Sequence, residues 1–156
     1  MGTWLSKCFG FLLDQEQAPD RDPAAVPIET LATEDALALH DQIFGWHSTW
    51  SHPDAWQHFS VVLGTPSGFV AGYMKRGKPH ISLAGVLPAA RNQGLFLAMA
   101  RAFVRNMGAQ AGKRARFTIS TVPDRFPVMA GWIDRHKKGP VLREGRKITA
   151  EVEITA

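Results

Sequence analysis

The chain is poor in several things that would narrow its class. It has one cysteine, Cys8, and one tyrosine, Tyr73, and no apolar run nears the about 20 residues of a membrane-crossing helix. A single cysteine excludes an internal disulfide framework and a cysteine-rich zinc site. It fits a reducing compartment, so the expected location is cytoplasmic, with no transmembrane segment. No internal repeat is visible. At 156 residues the chain is long enough for one domain that buries about two-thirds of its unfolded surface.

Acidic residues are scarce after residue 60. Residues 61–156 hold sixteen basic and five acidic residues, net +11, whereas residues 1–60 hold two and nine, net −7, and the whole is +4. A basic C-terminal two-thirds points to an anionic ligand or partner. The clusters "KRAR" (113–116), "RHKK" (135–138) and "REGRK" (143–147) lack any aromatic stacking stripe or recognition motif, so no nucleic-acid partner is expected.

The N-terminal stretch "MGTWLSKCFGFLLDQEQ" carries Trp4, Phe9 and Phe11, and "QAPDRDPAAVP" after it has a linker's composition. The first piece is too short in its apolar part for a signal peptide. "MGTWLS" also fits the loose myristoylation pattern, with Cys8 as a second acylation point. The expectation preferred here is an apolar arm plus linker over 1–25 that docks on another protein or chain, and a compact domain over 26–156.

Within that domain the pattern predicts β-α-α-β-β-β-α-β-α-β-β. Thr33 is expected to cap the first helix, and Ser51 or Pro53 to open a short second one. The best helix spans 92–111, with Phe96, Met99, Phe103 and Met107 on one face. "GTPSG" reads as a hairpin turn, and "FPVMAGWIDRHKK" as a helix entered at Pro127 and ended by Gly139.

The most informative stretch is "HISLAGVLPAARNQGLFL" (80–97). An apolar strand stops at Pro88, turns through "AARNQG" and restarts as a helix. A helix start presents unpaired N–H groups and the positive end of the dipole, a site for an anion such as phosphate. Val86-Leu87-Pro88 followed by Arg91-Asn92-Gln93-Gly94-Leu95-Phe96, together with the element order, resembles the GNAT superfamily of N-acetyltransferases. Those proteins carry "V-x-P" and then "[QR]-x-x-G-x-[GA]" at this place; Phe96 departs from the usual small residue.

The resemblance implies a mixed α/β fold: a central, mostly antiparallel sheet of six to seven strands with a splayed middle pair, flanked by about four helices. It implies acetyl-CoA as co-substrate and a small-molecule or protein amine as acceptor. Backbone amides of Asn92, Gln93, Gly94, Leu95, Phe96 and Leu97 would meet the pyrophosphate, with Arg91 also among the cofactor-binding residues, and Ala84, Gly85 and Val86 would meet the pantetheine arm. Gly85 suits a bulge or a close approach. His80 is the candidate general base, its imidazole suited by a near-neutral pKa. Ser82, two residues on, is expected on the same strand face. The family's tyrosine on the later helix is absent. Trp132 stands near its place, and His136 or Ser120 is left to serve as the acid. The family's asparagine and "GF" are also absent, replaced by Asp124-Arg125 and Gly139-Pro140.

Four histidines (His40, His47, His52 and His58) crowd 40–58 with Trp46, Trp50 and Trp56. No metal is expected there, for want of cysteine or carboxylate company; packing on the sheet or a wall for the acceptor are the two uses. The missing tyrosine and asparagine, Phe96 and the apolar arm keep a second function open. That alternative is a catalytically degenerate GNAT-fold protein serving as a structural or interaction part, for example of a phage virion, where its location would be the virion.

Overall fold

A computed structural model describes residues 27–45, 49–108 and 114–155. The N-terminal arm, most of its linker, Trp46, His47 and Lys113 lie outside the described residues. The described residues form seven strands: β1 (Glu29–Thr30), β2 (Val61–Thr65), β3 (Gly68–Lys75), β4 (Lys78–Val86), β5 (Arg114–Thr121), β6 (Leu142–Glu144) and β7 (Lys147–Thr155). The α-helices are α1 (Thr33–Phe44), α2 (Leu95–Asn106) and α3 (Pro127–His136). Three 3-10 turns, Thr49–Ser51, Pro53–His58 and Pro88–Ala90, complete the described elements. None of the described helices is long and apolar enough to cross a membrane.

The strands form one sheet in the order β1-β2-β3-β4-β5-β7-β6. Every neighbouring pair is antiparallel except β4 and β5. A parallel pair needs a crossover, and α2 supplies it. Tight turns make the hairpins: Arg76 (φ 52) and Gly77 (φ 77) both take the left-handed conformation between β3 and β4, as a two-residue turn matched to strand twist requires. The mixed fold with a mostly antiparallel sheet is the one the sequence predicts.

Two apolar layers hold the sheet. On one face Met99 and Phe103 of α2 and Ile133 of α3 pack with Phe117, Val152 and Ile81, all essentially solvent-free. On the other, Ala36 and Leu39 of α1 and Trp56 of the 3-10 turn pack on Phe69 and Ala71. Trp56 is 2% exposed and donates through Nε1 to the Trp50 carbonyl (2.8 Å). Of the histidine and tryptophan cluster, His40 and Trp56 serve packing, while His52 and His58 are exposed.

Several boundaries differ from expectation. The N-cap of α1 is Ala32, and no side chain caps it. The short second helix folds as the two 3-10 turns after residue 48, entered at Pro53. Helix α2 starts at Leu95, not residue 92, because Asn92 (φ 63) and Gly94 (φ 80) both adopt left-handed backbone and cannot belong to it. The helix expected to run to Gly139 ends at His136, where Lys137 bridges to Val152.

Two features of β4 position everything that follows. It pairs with β5 only at His80–Thr118 and Ile81–Ile119, and beyond Ile81 the two strands part. This is the splayed middle pair. Second, the β3–β4 register jumps from Ala71–Leu83 to Gly72–Ile81, so Ser82 is an extra residue, a bulge. Gly72 makes the bulge possible: a Cβ there would sit 1.9 Å from the His80 carbonyl oxygen and 2.8 Å from Phe103. The bulge therefore falls at Ser82, not Gly85. Gly85 is explained by packing, since a Cβ would meet Ile43 of α1 at 3.0 Å and Phe69 at 3.2 Å.

Candidate functional site

The divergence leaves Ser82 to Val86 half-buried in the middle of the sheet, with Leu83 to Val86 paired with β3 on one side and, among the described residues, no strand on the other. Their outward backbone groups have no strand to bond. An extended ligand can supply those bonds, as an added strand would.

The strand runs directly into the turn. Leu87 N–H donates to the Ser67 carbonyl (2.8 Å), which ties the strand end to the β2–β3 hairpin. Pro88–Ala90 makes one 3-10 turn, and Gly94 then opens α2 as an N-cap with no side-chain hydrogen bond. The first intrahelical bond at this end runs from Ala98 N–H to the Gly94 carbonyl (3.0 Å). The amides of Leu95, Phe96 and Leu97 are thus the uncapped donors of a helix start, aimed at whatever lies before it. Leu95's side chain is 2% exposed, so only its backbone is offered. A Cβ at Gly94 would meet nothing within 4 Å, so the backbone here borders open space. Arg91 donates through Nε to the Val86 carbonyl (3.0 Å), and Gln93 to the Ala89 carbonyl (3.3 Å). Of the expected anion contacts, these two side chains fasten the turn to itself.

His80 lies where β4 and β5 are still paired. Its ring is 2% exposed, lies 5.3 Å from the Tyr73 ring, and Nδ1 shares a 2.6 Å hydrogen bond with Thr118 Oγ1. Thr118 also donates to the Pro79 carbonyl (3.4 Å). A hydroxyl both donates and accepts, so Thr118 engages Nδ1 in either tautomer and Nε2 is the ring nitrogen left over. Among the described residues no fully buried side-chain nitrogen or oxygen lacks a partner, and no protein group bonds Nε2, so Nε2 keeps contact with solvent. Burial first, then the charges of Lys75 and Lys147, push the imidazole down to about 4. The near-neutral value expected from sequence is overturned by that desolvation.

The shift has a sign that can be tested. Unfolded, His80 takes a proton as pH falls through its ordinary 6.5; folded, it resists until about 4. The stability it contributes is present above 6.5 and is lost as pH falls from 6.5 to 4, about 3 kcal/mol at most. Urea unfolding of the wild type is therefore expected to weaken over that interval by about 2–3 kcal/mol more than unfolding of His80→Gln. Identical pH dependence of the two would contradict the buried, neutral imidazole.

The remaining predicted residues divide. Ser82 sits at the bulge, where the alternation passes from Ile81 in the α2 layer to Leu83 in the α1 layer. The two-residue spacing that put Ser82 and His80 on one face no longer holds. Ser120 is on the His80 face of β5, one residue past the last pair with β4, and its hydroxyl meets Thr149's at 2.7 Å. His136 is not brought to His80: it belongs to α3, which packs on the opposite face of the sheet. Its ring stacks on Trp132 (4.3 Å), and Nδ1 donates to the Trp132 carbonyl (2.8 Å).

Phe96 meets Trp132 edge-to-face at 5.2 Å. Helix α2 rests on β2 to β5 and α3 on β5 and β7. This half-buried contact therefore links the helices that flank the divergence. Thr118 and Tyr73, the neighbours of His80, carried no signal in the sequence. Gly72 did carry one, as a glycine inside a strand, the usual mark of a bulge or close approach. Among the described residues no group of three or more His, Cys, Asp or Glu side chains is placed to hold a metal ion.

Solved structures share the fold. A protein from Desulfovibrio desulfuricans assigned to the GNAT family of acetyltransferases superposes with a TM-score of 0.54 at 12% identity, over 84% of this chain and 99% of its own. The fold is that of the GNAT acetyltransferases. The ribosomal-protein-S18-alanine N-acetyltransferase of Escherichia coli matches with a TM-score of 0.55 at 10% identity, over 83% of this chain and 92% of its own. A chain of the NatC complex, crystallised with Gag peptide and CoA, matches with a TM-score of 0.52 at 11% identity, over 83% and 98%. No protein-family model and no curated protein matches the sequence. The GNAT likeness is thus one of fold.

Proposed function

We propose that this chain is an acyl-CoA-dependent N-acyltransferase that transfers acetyl from acetyl-CoA to an amine, with the acyltransferase domain over 26–156. One observation carries the reading: the strand that parts from its neighbour runs straight into an uncapped helix start at a left-handed glycine. A ligand with a peptide-like arm and a pyrophosphate finds both needs met there in the right order. CoA is such a molecule, and it is the one bound in the NatC structure.

In this reading the amides of Asn92 to Leu97 hold the pyrophosphate, with Gly94 letting the backbone approach. The backbone of Ala84, Gly85 and Val86 holds the arm, and a backbone N–H near Val86 polarises the thioester carbonyl. His80 Nε2 accepts the amine proton as the N–C bond forms, directly or through water. The C–S bond then breaks and the thiolate leaves as CoA. Ser120 is better placed than His136 to give that thiolate a proton, because it shares the His80 face at the mouth of the divergence. The test is acetyl-CoA-dependent acetylation of free-amine peptides by the purified chain, followed as thiol release. Turnover that requires the amine supports the proposal, and its absence with CoA bound supports the reading that follows.

The second reading, a non-catalytic member of the fold acting as an interaction part, is favoured by the Phe96–Trp132 contact. The two aromatic rings meet where the resemblance expects a small residue and a tyrosine. Phe96→Ala separates the readings. If the pair only obstructs a usable cleft, CoA affinity is expected to rise about 3- to 10-fold in calorimetry. If the cleft has become core, the variant loses stability and gains no affinity.

A further inference from the structure

The face of the sheet on which His80 lies is not covered evenly. Helix α1 packs on β2, β3 and β4. Beyond them, β5 and β7 present Arg114, Arg116, Thr118 and Ser120 alongside Thr149, Glu151 and Glu153, cross-strand neighbours in register. The charges are layered. The carboxylates of Glu153 and Glu151 are 7% and 22% exposed, while Arg114, Arg116 and Lys78, which bond to them, are 72%, 60% and 57% exposed. The acids form the floor and the bases the surface. The hydrogen bond from Arg116 holds the Glu153 carboxyl below the usual carboxylate range against the opposing effect of burial, so the floor stays ionised.

Two further cations act on His80 and, among the described residues, have no ion-pair partner. Lys75 stands opposite Lys78 in the β3–β4 register, a like-charge pair that costs stability, and only Lys78 is relieved, by Glu151. Lys147 faces Glu144 across the β6–β7 hairpin without an ion pair. Both lie close enough to disfavour the charged form of His80. Counting Lys138, which reaches Glu153 at 3.9 Å, this charged cluster holds six bases and two acids.

We infer that the acceptor amine belongs to an anionic molecule, one with carboxylate or phosphate groups beside its amine, which seats on this cationic face with the amine at His80. The inference rests on the acyl-transfer reading above. Polyamines and lysine-rich peptides are disfavoured, because their charge repeats that of Lys75, Lys147 and the arginines. The attraction acts mainly on encounter and orientation, so it responds to salt.

The experiment uses the full chain with CoA bound and two labelled short peptides with free amino termini, one glutamate-rich and one lysine-rich. Fluorescence anisotropy is expected to show at least about 10-fold tighter binding of the glutamate-rich peptide, with the margin shrinking in about 0.5 M salt. Combining Lys75→Glu with Lys147→Glu, the first half-buried and the second exposed, should remove the margin and leave CoA affinity unaltered. O-Phosphoethanolamine that displaces the glutamate-rich peptide assigns phosphate to the same face; failure to displace it assigns the face to carboxylates. Equal binding of the two peptides, or preference for the lysine-rich one, by protein that binds CoA normally overturns this inference alone. Salt-sensitive binding of the glutamate-rich peptide by protein that binds no CoA overturns the acyl-transfer reading and leaves an anion-binding face.

Discussion

Replacing His80 by alanine is expected to lower kcat about 10²-fold while the affinity for acetyl-CoA stays within about twofold. The ring touches Tyr73 and Thr118, not the uncapped helix start, so the donor's phosphates do not depend on it. Its contribution belongs to the step in which the amine loses a proton. The size sits at the low end for general base catalysis, because a group held at about 4 is a weaker proton acceptor than one near 7. The same shift moves the pH signature. The acidic limb from this group falls near 4, and across pH 6 to 9 the imidazole stays neutral and ready. An acidic limb near 6.5 that survives in His80→Ala would assign the proton to another residue. A fall in CoA affinity equal to the fall in kcat would make His80 a structural residue.

Gly94→Glu is expected to weaken CoA binding at least about 10²-fold with the fold intact. Two effects add. A side chain at φ 80 strains the N-cap by about 1 kcal/mol, which tilts the first amides of α2. A carboxylate at a helix start then occupies the anion site with the ligand's own sign of charge. Space is not limiting, since a Cβ at Gly94 meets nothing within 4 Å, so the protein should still fold. Gly94→Ala isolates the strain and is expected to cost about 10-fold or less. Calorimetry on wild type and both variants, with circular dichroism to verify folding, makes the comparison. Equal affinity in all three would remove the phosphate from this turn.

Much of this was legible in the sequence, for identifiable reasons. The strand–Pro–turn–Gly–helix run at 80–97 is local, each residue constraining its neighbour, and the structure returns it with α2 shifted by three residues. The shift came from Asn92 and Gly94, whose left-handed backbone consumes the turn. The fold class followed from the order of elements and the resemblance. What sequence reasoning missed was set by contacts between distant segments. The bulge at Ser82 needs Gly72 opposite it, ten positions away. The burial that pushes His80 down requires Tyr73, Thr118 and the sheet around them. The bulge read at Gly85 lies elsewhere, and a side chain at Gly85 would meet Ile43 of a distant helix. The separation of His136 from His80 is a matter of opposite sheet faces, which spacing in the chain does not encode.

The most direct measurement is a titration of the ¹⁵N-labelled full chain with acetyl-CoA, followed residue by residue in amide spectra. The account predicts that the largest shifts fall on two backbone runs: Ser82 to Val86, where β4 has parted from β5, and Asn92 to Leu97, where α2 begins. Shifts confined to other residues, or no shifts at millimolar ligand, would contradict it.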